Sequence, residues 1–99
     1  GDLYGELNLL FKIKSIFSKA LSIGENKLGQ NHVLVGEVLF YFGTFYSYKI
    51  KNFDKGKFML EKCLEIYEKN FDSENVKLIL AKYDPFMRKY EVYKETKLK

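Results

Sequence analysis

The chain has 99 residues, 46% of them hydrophobic and 17% aromatic, enough apolar material for one packed domain and too much for a disordered one. One cysteine, Cys63, excludes an internal disulfide and suits a reducing compartment, and no apolar stretch approaches the ~20 residues that span a bilayer. The net charge of +4 comes almost entirely from lysine, with Arg88 the single arginine, so nucleic acid is not the expected partner: sequence-reading and phosphate-gripping surfaces favour the planar fork of arginine.

The first segment reads as one long amphipathic helix from Leu3 to Leu28. Leu3, Leu7, Leu10, Ile13, Phe17, Ala20, Leu21, Gly24 and Leu28 recur at three- and four-residue steps along one face. Gly29 follows the last of them as a left-handed C-terminal cap, and Asn31 is placed to cap the next helix. That second helix is expected over His32 to Ile50. Its apolar residues cover nearly the whole circumference, so it is expected at the centre of the domain. Asn52 is expected to make the left-handed turn that follows, and Asp54 to cap a third helix running to about Phe71, with Phe53 packed beside its first turn. The buried face of the third helix is Gly56, Leu60, Cys63, Leu64, Tyr67 and Phe71. Its outer face carries Lys57, Glu61, Glu65 and Lys69, with Glu65 and Lys69 in the favourable pairing order. A fourth helix opens at Asp72 and Ser73 and ends or kinks at Pro85; a fifth short helix runs from there to about Tyr93. Residues 1–93 are thus expected to form one domain, with 94–99 a frayed basic tail.

A long-range echo ties these helices together. Lys19-Ala20-Leu21-Ser22-Ile23-Gly24-Glu25 returns forty-three residues later as Lys62-Cys63-Leu64-Glu65-Ile66-Tyr67-Glu68, while Lys12, Lys14 and Val33 return as Lys55, Lys57 and Val76. A period of that length in helix-forming residues indicates stacked helical hairpins, each burying its apolar face against its neighbours. The expected fold class is all-α, with four to five helices in antiparallel hairpins.

Leu39, Phe42, Gly43 and Tyr46 resemble the first-helix pattern of tetratricopeptide (TPR) repeats, and Phe53, Gly56, Leu60 and Cys63 resemble the second, with Gly56 and Cys63 in place of the usual alanines. The close-contact residues make physical sense if Gly43 faces Gly56 and Cys63, letting two helices approach. The linker Leu28-Gly29-Gln30-Asn31-His32 with Val35 resembles the longer repeats of kinesin light chains, without their linker prolines. The order from Gly29 to about Leu80 also looks like the C-terminal helical domain of SET-and-MYND lysine methyltransferases, in which a separate domain binds S-adenosylmethionine. The resemblance implies a non-catalytic protein-interaction or scaffold module, or alternatively a methyltransferase's helical domain that walls its substrate cleft. The single cysteine and a start without a signal-peptide pattern, with Asp2 and Glu6 where a basic region would stand, make an intracellular protein, cytoplasmic or nuclear, the expectation.

No residue here invites chemistry. His32 stands alone and Cys63 is thirty-one positions away, so a zinc site lacks ligands, and Cys63 occupies a small-residue slot on a buried face. No phosphate loop is present. No cofactor, catalytic residue or metal ligand is therefore expected. The TPR resemblance places Glu37, Tyr41, Thr44 and Tyr48 on the groove that holds peptides, with Phe40 and Ser47 as neighbouring candidates and burial in the core as the competing fate of the aromatics. Clamps for chaperone tails carry lysine and asparagine at such positions, so that ligand class is not expected. The expected partner is a protein or peptide, or preceding domains of the same chain. The first helix, left partly uncovered around Leu3 and Leu7, is a route to self-association.

Overall fold

The structure, a computed structural model, describes residues 3–80, and these form four helices with no strand among them. Helix α1 is Leu3–Leu28, α2 is Val33–Phe45, α3 is Phe53–Asn70 and α4 is Ser73–Leu80. The described residues are all-α, as the periodicity requires. The expected helix from Pro85 to Tyr93 and the tail 94–99 lie outside the described residues.

Helix α1 runs unbroken through Gly5 and stops at Gly29, whose φ of 95° is a left-handed turn and whose N–H donates to the Glu25 carbonyl at 3.1 Å. Capping then departs from the sequence reading. His32, not Asn31, starts α2: its Nδ1 accepts the Leu34 N–H at 3.1 Å. Asn31 instead joins the linker to the far end of α3, its carbonyl accepting from Asn70 Nδ2 at 2.8 Å and its Oδ1 from Lys69 Nζ at 3.4 Å. Among the described residues, the ion pair that α3 carries is not Glu65 with Lys69 but Lys57 with Glu61, at 4.0 Å, with the lysine exposed and the glutamate partly so. A pair of that kind contributes under ~1 kcal/mol.

A π-helical turn, Tyr46–Ile50, extends α2. It closes at Lys51, which takes the left-handed conformation (φ 64°) while the Asn52 N–H reaches back to the Tyr46 carbonyl at 2.9 Å. Lysine bears this conformation because Asn52 is needed elsewhere. Its Oδ1 accepts the Lys55 N–H at 3.2 Å and caps α3, the role expected of Asp54. Asp54 lies inside the first turn, where its charge still suits the helix dipole. Phe53 is exposed and packs no core. Asp72 caps α4 as expected, its carboxylate accepting the Asn75 N–H at 2.8 Å.

Helix α2 lies between α1 and α3. Phe17 of α1 stacks on Phe42 of α2 at 5.2 Å, whereas Gly24, later in α1, meets Val35, earlier in α2. The same reversal holds across α2 and α3, where Gly36 meets Ile66 and Tyr67 while Gly43 meets Leu60 and Gly56. One apolar cluster joins Val35, Leu39 and Phe40 to Leu60, Cys63, Leu64, Ile66 and Tyr67 of α3 and Val76 of α4. A second, aromatic one joins Phe42, Phe45 and Tyr46 to Leu10, Ile13, Phe17 and Leu21 of α1. Leu21 and Met59 touch both.

Two close approaches set the α2–α3 distance. A β-carbon at Gly43 would stand 2.9 Å from Leu60 Cγ, and one at Gly56 would stand 2.9 Å from the Gly43 carbonyl oxygen and collide with the buried Ser47 hydroxyl. Gly43 and Gly56 therefore face each other as the sequence suggests. Cys63 lies further along, in the Val35–Leu39 cluster, and Gly36 is the second contact glycine.

Cys63 is fully buried, and loss of water around the thiol pushes its pKa from 9.0 up to about 12. The native thiol thus stays protonated where an unfolded chain would ionise, so stability is expected to fall as pH rises from about 9 toward about 12. Labelling by a thiol reagent at pH 8 should proceed only through unfolding, at a rate that rises with urea. Labelling in native buffer as fast as a free thiol would contradict this burial.

Candidate functional site

Helix α2 is buried on every side but one. The 4-3-4 spacing of Glu37, Tyr41, Thr44 and Tyr48 sets them in one stripe, about 16 Å long at 1.5 Å per residue. Glu37 is exposed, and Tyr41 and Tyr48 are 49% and 50% exposed, with Leu34 half-exposed at the N-terminal end. The two candidate fates of the aromatics are divided between them: Phe40 and Phe45 go to the core and the two tyrosines to the surface. Ser47 is buried against Gly56, which removes it from the candidate surface.

Neighbours hold these side chains in place. The Tyr41 ring stands edge-on to the buried Phe40 ring, centroids 5.2 Å apart at 89°. Thr44 is half-buried and its hydroxyl donates to the Phe40 carbonyl at 2.8 Å, so it contributes its methyl more than its hydroxyl. The stripe thus offers two half-exposed phenol rings, that of Tyr41 braced on Phe40, and one carboxylate. Such a surface stacks on and hydrogen-bonds to a peptide; it holds no nucleophile with an adjacent base.

A concavity of about 530 Å³ opens on the opposite side of α2, between α1 and α3. Its floor is Phe42, Tyr46, Leu21 and Met59, and Lys14 and Lys55 stand at its rim. Their ammonium groups lie 6.0 Å and 5.3 Å from the centre of the Tyr46 ring. The echo places lysines on both helices that flank α2 but does not foretell this convergence, since it pairs Lys12 with Lys55 and Lys14 with Lys57. Among the described residues no group of acidic, histidine or cysteine side chains could hold a metal ion. His32 is spent on its cap and Cys63 on the core. No described helix is long and apolar enough to cross a membrane.

No family model, curated protein or solved structure matches the chain.

Proposed function

We propose that the chain is a non-catalytic protein-interaction module of TPR type, built from antiparallel hairpins, that presents the α2 stripe to an extended peptide or protein segment. The observation that supports this reading is the pair of half-exposed tyrosines, Tyr41 and Tyr48, on the helix that carries most of the buried aromatic rings. Tyrosine rings have few side-chain rotations to lose on contact, which is why tyrosine dominates binding energy at many interfaces. Glu37 at one end favours a segment with a basic residue at the matching position.

A peptide selected on the full chain from a random library should bind Tyr41→Ala/Tyr48→Ala about tenfold or more weakly, and Glu37→Lys should weaken basic peptides most. Helicity should be unchanged, because both rings are half-exposed. Unfolding of the double variant would assign the rings to the core and overturn the site; undiminished binding by a folded double variant would overturn it as well.

A further inference from the structure

Helix α1 carries an apolar seam that the fold leaves bare. Leu9, Ile16 and Ile23 stand seven residues apart and are 57%, 65% and 56% exposed, with the half-buried Ile13 and Ala20 between them. Together they repeat at alternating four- and three-residue steps, the spacing by which one helix receives another. Ile13 also packs on the aromatic cluster, so the seam is continuous with the established contact between α1 and α2.

The molecule itself shows what shape fits there. The forty-three-residue echo carries Ile16, Ala20 and Ile23 onto Met59, Cys63 and Ile66 of α3. In α3 those positions are covered: Cys63 and Ile66 are buried, Met59 is half-buried against both clusters, and Ile66 lies against Gly36 of α2. The complement of the bare seam is therefore a helix of α2's kind, apolar along one stripe and with a small residue where Ile23 must enter.

Charge then selects among possible helices. Leu10, Phe17 and Gly24 border the seam on the side of α2, and the exposed Lys12 and Lys19 border it on the other. Neither lysine has an ion pair among the described residues. Two copies joined antiparallel through this seam would bring Lys12 and Lys19 of each against those of the other, a like-charge contact that disfavours self-pairing. We propose that the outer face of α1 binds a helix from another polypeptide, one that carries acidic residues along the edge facing Lys12 and Lys19 and a small residue opposite Ile23. This shares the interaction-module reading but uses a different surface from the α2 stripe, so either can fail alone.

The test titrates the full chain into a labelled synthetic helix of about 18 residues with α2's apolar pattern, two glycines seven apart and a glutamate edge, and into the same helix with a lysine edge. The glutamate helix should bind better, and Ile16→Glu or Ile23→Glu should weaken it about tenfold or more while melting temperature and helicity hold, since both side chains are more than half exposed. Lys12→Glu/Lys19→Glu should reverse the preference between the two helices, and Tyr41→Ala/Tyr48→Ala should leave it intact. Equal binding of both helices, or indifference to Ile16→Glu, would overturn the proposal. So would a dimer in sedimentation that Ile16→Glu dissolves, since the occupant would then be a second copy.

Discussion

Replacing Gly56 with valine is expected to destabilise the domain by about 3 kcal/mol, a large share of the ~5–15 kcal/mol that holds a domain together. The obstacle is backbone. A β-carbon there would stand 2.9 Å from the Gly43 carbonyl oxygen and 3.2 Å from the Ser47 nitrogen, and neither can yield without parting α2 from α3. Alanine meets the same backbone with its β-carbon but should cost less, because its better helix propensity returns up to ~1 kcal/mol, whereas the valine methyls widen the separation further. Gly24→Ala is the internal control. Its β-carbon would meet only the Val35 Cγ2, at 3.2 Å, a side-chain atom that can shift, so the change should be near neutral. Urea titrations at constant slope measure all three. Gly56→Val within ~1 kcal/mol of the parent would refute the close approach.

The approach of α2 to α3 was legible because glycine is costly inside a helix and persists there only with a reason, and Gly43 and Gly56 fall on facing positions of a repeat. The same logic applied to Gly36 would have found the second contact. The caps were harder to read. Asn31, His32, Asn52 and Asp54 are all competent to start a helix, and the choice among them depends on contacts outside the local window. Asn31 is held by Asn70 and Lys69 of α3, thirty-nine and thirty-eight residues away, and a residue so occupied leaves the capping to its neighbour.

A second apolar stripe on α1 escapes the sequence reading for a geometric reason. Scoring a helix for one apolar stripe selects Leu10, Ile13, Phe17, Leu21 and Gly24, which do face α2, and absorbs every other apolar residue as tolerated exposure. Leu9, Ile16 and Ile23 form a neighbouring stripe of equal regularity. A helix with two such stripes is built to touch two helices. The described fold supplies one of them, which is why α1 contains no fully buried residue despite its 26 residues.

That thin attachment makes α1 the part most sensitive to the aromatic cluster, and Phe42→Ala is expected to release it. Phe42 is buried and its ring stacks on Phe17 of α1 at 5.2 Å and on Tyr46 at 4.9 Å, so it is the joint through which α1 grips α2. Removing a buried phenylalanine costs about 3–5 kcal/mol, part of it from the lost ring stacking. The loss should not spread evenly. Leu10, Ile13 and Phe17 pack on this cluster, whereas the cluster between α2 and α3 is built on Val35, Leu39, Leu60, Cys63 and Ile66. Hydrogen exchange should therefore show α1 amides opening toward the rate of a free helix while α3 amides keep most of their protection. Leu60→Ala, on the other side, should lower protection in α2 and α3. If Phe42→Ala lowers protection equally in all helices, the two clusters act as one cooperative core and the picture of α1 as a separately held helix is wrong.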